Sequence, residues 1–106
     1  MAWIILTVAG LLEVVWAYSM KQSDGFTRLG PSLLMLAAMV ASFILLAWAM
    51  RTLPLGTAYT VWTGIGAVGA FLVGVAVLGE AASALRILAA VLIVGGLVLM
   101  KVASPS

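Results

Sequence analysis

Four long apolar runs alternate with three short polar breaks along this chain. The first run covers about residues 3–20. It ends in Lys21-Gln22-Ser23-Asp24-Gly25-Phe26-Thr27-Arg28, where Asp24-Gly25 is a turn signal. The second covers about 31–50 and opens with Pro31, whose fixed φ suits the first turn of a helix. Arg51-Thr52-Leu53-Pro54-Leu55-Gly56 leads into the third, about 57–78, with Thr57 as the expected N-cap. Gly79-Glu80-Ala81-Ala82-Ser83 leads into the fourth, about 84–101, with Ser83 as N-cap and Pro105 in a short serine-flanked tail. Each run is close to the ~20 residues a helix needs to cross the hydrocarbon. Barrel strands would alternate apolar and polar residues, and these runs do not. The pattern predicts an all-α membrane protein, with four transmembrane helices in one domain spanning 1–106.

Composition supports that reading. The chain is 66% hydrophobic and only 8% charged, against ~25% charged in soluble domains. A net charge of +2, scattered over the breaks, gives no footprint for nucleic acid. With no cysteine and no histidine, Cys/His metal sites, thiol redox chemistry and histidine acid–base catalysis are excluded. No cofactor is expected, and the chain is not expected to be an enzyme. Ala17-Tyr18-Ser19 faintly resembles a signal-cleavage site. No basic stretch precedes it and Glu13 interrupts the apolar run, so the first helix is expected to be retained.

Four crossings place Arg51 and Lys101 on one side of the membrane and Lys21, Arg28 and Arg86 on the other. Two against three is almost no bias, so the positive-inside rule assigns no orientation. A weakly encoded single topology and insertion in both directions are equally compatible with these charges.

Glu13 is the only charged residue well inside an apolar run; Arg86 and Lys101 sit at the two ends of the fourth. Counted from Trp3 at ~1.5 Å per residue, it lies ~15 Å deep, near the midplane. A carboxylate there costs roughly 2.5–3.5 kcal/mol or more, which marks it as functional. With no basic residue in the interior of any run, it suits a group that binds a cation, a proton, or each in turn.

Residues three or four apart share a helix face. Glu13 therefore shares its face with Gly10, Trp16 and Ala17. The small residues leave space beside the carboxylate, and Trp16 supplies an aromatic wall for a flat cation; ordinary helix packing would use the same residues. Ser42 is the polar group near the middle of the second helix. Its hydroxyl can bond a carboxylate or a substrate, or fold back onto its own helix. On the third helix, Tyr59, Trp62, Gly66 and Gly69 share a face. Tyr59 could bond the carboxylate, or serve as an interface anchor, as Trp3 and Trp48 are expected to do. Trp62 could stack on a cation. Gly64, Gly66 and Gly69 permit either a bend that changes state or close packing. The fourth helix is apolar, with Ala89, Ala90, Gly95 and Gly96, and suits helix association.

Four short helices cannot easily surround a polar path, and an isolated chain would leave Glu13 near lipid. A homodimer supplies a central cavity with two copies of Glu13. Alternating-access carriers often use inverted repeats; this chain has no room for one, but two oppositely inserted copies would supply the same symmetry.

The strings Leu11-Leu12-Glu13-Val14-Val15-Trp16-Ala17, Gly25-Phe26-Thr27-Arg28-Leu29, Pro54-Leu55-Gly56-Thr57-Ala58-Tyr59 and Trp62-Thr63-Gly64-Ile65-Gly66-Ala67-Val68-Gly69 resemble the small multidrug resistance family across roughly residues 1–101. The forms around Glu13 and Gly25 look most like its guanidinium-exporter branch. The resemblance implies an antiparallel, dual-topology homodimer in a bacterial inner membrane that exchanges protons for guanidinium. It implies that Glu13 binds both proton and substrate, with Trp16, Ser42, Tyr59 and Trp62 lining the pocket. It also implies a dimer held by the fourth helix through Ala89 and Gly96. Met20 and the Gly30-Pro31 pair depart from the commonest choices, away from the expected site.

The chemistry is consistent with this. Guanidinium is planar and donates to a carboxylate in bidentate fashion, and proton and cation would compete for the same oxygens. The alternative is a broad exporter of quaternary ammonium and other hydrophobic cations. These cannot donate hydrogen bonds and would lean more on Trp16 and Trp62 than on Ser42. A membrane interaction protein without transport is the reading from a different class; it would tolerate Glu13→Gln.

Overall fold

The computed structural model describes residues 1–103; Pro105 and the serines beside it lie outside them. Four α-helices make up the described chain: α1 (Ala2–Gln22), α2 (Leu29–Ala49), α3 (Leu55–Ala76) and α4 (Ala84–Ala103). All four are long and apolar enough to cross a membrane.

Each connection is fixed by local chemistry. Between α1 and α2, Asp24, Gly25 and Phe26 all take positive φ, reversing the chain at the expected turn. Buried Ser23 holds this turn: its hydroxyl donates to the Met20 carbonyl at 2.7 Å and accepts the Phe26 N–H at 3.1 Å. The third helix begins two residues earlier than the pattern predicts. Its N-cap is Pro54, at ψ 152°, and the Pro54 carbonyl accepts the Ala58 N–H at 2.9 Å. Proline needs no N–H partner and its extended ψ sets the entry direction, so Thr57 lies inside the first turn rather than capping it. After α3, Gly79 at φ 71° turns the chain, and the Glu80 N–H returns to the Gly74 carbonyl at 3.0 Å. Ser83 caps α4 as expected, its hydroxyl accepting the Arg86 N–H at 3.2 Å.

The helices form a slab with extents of 43 × 34 × 16 Å. In it α1 packs against both α2 and α3, and α4 lies along α3. Leu6, Ala9, Leu46, Ala49, Leu53, Ala58, Val61 and Trp62 form the buried core at one end. No described residue of α4 is buried. A layer only 16 Å thick has little interior, since one helix with side chains is already about 10–12 Å across.

Candidate functional site

The site is built where α1 meets α3. The two helices interlock by matching large side chains to glycines. Ile65 fills the space beside Gly10, its Cγ2 2.6 Å from where a Cβ on residue 10 would stand. Val14 occupies the corresponding space at Gly69, and the Glu13 carboxyl group the space at Gly66. Glu13 thus lies against bare α3 backbone, an approach a side chain at position 66 would block. Gly64 plays the same part toward α4, where Leu97 packs onto it. At Gly10, expected to leave space beside the carboxylate, the space a Cβ would take is filled by Ile65.

Among the described residues, three polar atoms on α1 are buried without a hydrogen-bond partner: Glu13 Oε1, Trp16 Nε1 and Ser19 Oγ. They recur every third residue. An acceptor and a donor left bare one turn apart are costly in a structure that otherwise satisfies buried polar groups, and they can be satisfied by a ligand. Ser19 was not expected to be a site residue from the sequence. Its polar side chain within the first run was the available signal.

Ser42 is fully buried and neither folds back onto α2 nor bonds Glu13. Its hydroxyl donates to the Ala9 carbonyl of α1 at 2.7 Å and accepts the Trp62 indole N–H of α3 at 2.9 Å. One hydroxyl therefore ties three helices together. The Ala9 carbonyl lies one turn before Glu13.

Four rings continue from this point. Trp16 meets Phe43 edge-on at 6.3 Å between centroids, Phe43 meets Trp62 at 5.7 Å, and Trp62 meets Tyr59 edge-on at 5.6 Å. Phe43 joins the Trp16 and Trp62 rings, and the sequence reading missed it. Its signal was its position beside Ser42, which put an aromatic next to the polar group of α2. Tyr59 is half-exposed and, among the described residues, makes no hydrogen bond to Glu13. The structure thus brings Glu13 against Gly66, and Ser42, Trp62, Phe43, Trp16 and Tyr59 into one connected group.

Of the two tryptophans expected at the membrane interface, Trp48 is exposed, whereas Trp3 packs on the core with Lys101 Nζ 4.5 Å from its ring centroid. On α4, Ala89, Gly95 and Gly96 are exposed. A Cβ placed on either glycine would meet nothing within 4 Å.

Among the described residues, Glu13 Oε1 in a span has no hydrogen-bond partner; Gly66 backs the carboxyl group, and the Trp16 indole lies one turn along α1. The chain was compared with known proteins. A family model for the Small Multidrug Resistance protein matches residues 1–93. A guanidinium exporter of Yersinia pseudotuberculosis is 60% identical over 104 residues, covering 98% of this chain and 100% of that protein. A guanidinium exporter of Citrobacter freundii is 58% identical over 104 residues, covering 98% and 99%. A multi-pass, four-helix membrane protein matched at this level over nearly its full length belongs to the Small Multidrug Resistance family.

Proposed function

We propose that this protein is a proton-coupled antiporter that exports guanidinium and small substituted guanidinium ions from bacteria across the inner membrane. The observation that carries this reading is the Glu13 carboxylate: in a membrane span, against Gly66, with Oε1 buried and unpartnered. Its relatives' names supply the substrate class.

Guanidinium presents a planar fork of N–H donors that matches a carboxylate. Its faces are apolar enough to lie against the Trp16 and Trp62 rings. A proton and a guanidinium ion satisfy the same Glu13 oxygens, so one excludes the other. If only the loaded states cross between the two membrane faces, proton entry is coupled to cation exit through one site. Gly64, Gly66 and Gly69 let α3 approach its neighbours closely and are the positions where α3 would bend or slide.

The working unit is an antiparallel homodimer, each chain contributing one four-helix transmembrane domain over 1–106. Two features support this. The slab is too thin to enclose a polar path, and α4 presents Ala89, Gly95 and Gly96 uncovered. The nearly balanced loop charges permit opposite insertion.

The test is guanidinium uptake into proteoliposomes driven by a pH gradient. Wild-type protein should accumulate guanidinium, and Glu13→Gln should not; proton-driven accumulation by Glu13→Gln refutes the assignment. Glu13→Asp should retain part of the activity with a shifted pH profile. The row of rings through Phe43 favours a second substrate class, hydrophobic quaternary ammonium ions, which bind through ring faces. Competition by tetraalkylammonium in the same assay decides it.

A further inference from the structure

Away from Glu13, a groove of about 350 Å³ runs between the C-terminal halves of α1 and α3. Its inner lining includes Ala17 and Ala70, one helical turn beyond Glu13 and Gly66 respectively. Its other lining residues include Lys21, Glu80 and Arg86. The groove thus reaches from the break between α3 and α4 to within a turn of the central carboxylate.

The Arg86 guanidinium is held there in a particular way. Its Cζ lies 5.2 Å from the centroid of the Phe71 ring. Nη1 donates to the Ala81 carbonyl at 2.6 Å, and Nη2 is 3.8 Å from Glu80 Oε1. The Glu80 carboxyl group is itself placed by backbone: its N–H bonds the Gly74 carbonyl, and its carboxyl group rests in the space left by the missing side chain of Gly74. An aromatic platform, a carboxylate and a carbonyl therefore surround one guanidinium group. Both charged side chains remain nearly half exposed, at 44% and 43%, so a solute can reach them.

We propose that Phe71, Glu80 and the Ala81 carbonyl form a second guanidinium-binding subsite at the mouth of this groove, with Arg86 as its tethered occupant. A free guanidinium ion carries the same planar donors as the Arg86 head group and can exchange with it. With Arg86 in place the subsite is self-neutralised, and nearby Lys21 adds a positive charge. With Arg86 displaced, the Glu80 carboxylate holds a cation on the way to or from Glu13. The assignment rests on guanidinium being the cargo of the central site, but the subsite is tested without transport.

The experiment titrates guanidinium chloride, with sodium chloride as the ionic-strength control, into reconstituted Glu13→Gln protein, whose central site is silenced. Phe71 ring and Glu80 carboxyl resonances are followed by NMR. Saturable, guanidinium-specific shifts with Kd on the order of millimolar are expected. Binding should tighten in Glu13→Gln/Arg86→Ala, where the free ion replaces the missing head group. Glu80→Gln should weaken it by about threefold or more. Gly74→Ala keeps every charge but displaces the Glu80 carboxyl group, and should weaken it similarly. Shifts that sodium reproduces, or that persist unchanged in both Glu80→Gln and Gly74→Ala, overturn the subsite. If wild-type liposomes fail to move guanidinium, the central reading falls by that separate result; the titration still judges the subsite.

Discussion

Gly66→Ala gives the sharpest test of the site geometry. A Cβ at position 66 would fall on the Glu13 carboxyl group and lie 2.8 Å from Glu13 Cγ. Carbon–carbon contact is comfortable from about 3.5 Å, so the Glu13 side chain must retreat by roughly 0.7 Å at Cγ and further at its tip. Overpacking of this kind costs about 1–3 kcal/mol. Replacing glycine by alanine within a helix returns about 1 kcal/mol, leaving a net loss of about 0–2 kcal/mol. The protein should therefore still fold. Its function should not survive as well, because a displacement approaching 1 Å at a reacting group costs on the order of 10²-fold. A 10- to 100-fold fall in kcat/KM for guanidinium, about 1.4–2.7 kcal/mol, is expected in proteoliposome flux. Gly30→Ala is the control, since nothing lies within 4 Å of its added Cβ, and it should transport normally. Wild-type kcat/KM in Gly66→Ala would refute the placement of Glu13 against α3.

Ser42→Ala removes the donor to the Ala9 carbonyl and strands the Trp62 N–H; a loss of about 1–2 kcal/mol is expected in reversible unfolding from micelles, and an unchanged midpoint would contradict the three-helix tie. A Cβ added at Gly96 meets nothing within 4 Å among the described residues, so Gly96→Leu tests this face of α4. It should leave helix content intact while light scattering shows loss of the dimer; a dimer of normal stability would remove α4 from the interface. Competition at Glu13 predicts that guanidinium binding weakens as pH falls, because protons occupy the same oxygens. The apparent Kd should rise by up to about tenfold per pH unit once protonation is extensive, and a pH-independent Kd measured by calorimetry would exclude a shared site.

The number of helices among the described residues, their approximate limits and the anomaly of a charge at Glu13 are all legible in the sequence. Twenty-residue apolar runs admit one structure in a bilayer, where every backbone group must be bonded within its own segment. One charge inside such a run stands out because its cost is large and local. Ser83 as a cap and Asp24-Gly25 as a turn are equally local, set by a few consecutive residues. Thr57 was misread because Pro54, three residues earlier, ends the break first.

What joins residues distant in the chain required the fold. Periodicity places Gly10 and Gly66 on the right faces but cannot say which receives Ile65 and which receives the Glu13 carboxyl group. That depends on the relative height of α1 and α3. Nor could it show that Ser42 would spend its hydrogen on the Ala9 carbonyl, or that Phe43 would join two tryptophans. Hydrophobic pattern fixes which residues avoid water or prefer lipid, and it acts within each helix. The choice of partner across helices is made by side-chain shape and hydrogen bonding once three helices meet, and that is decided only in the tertiary structure.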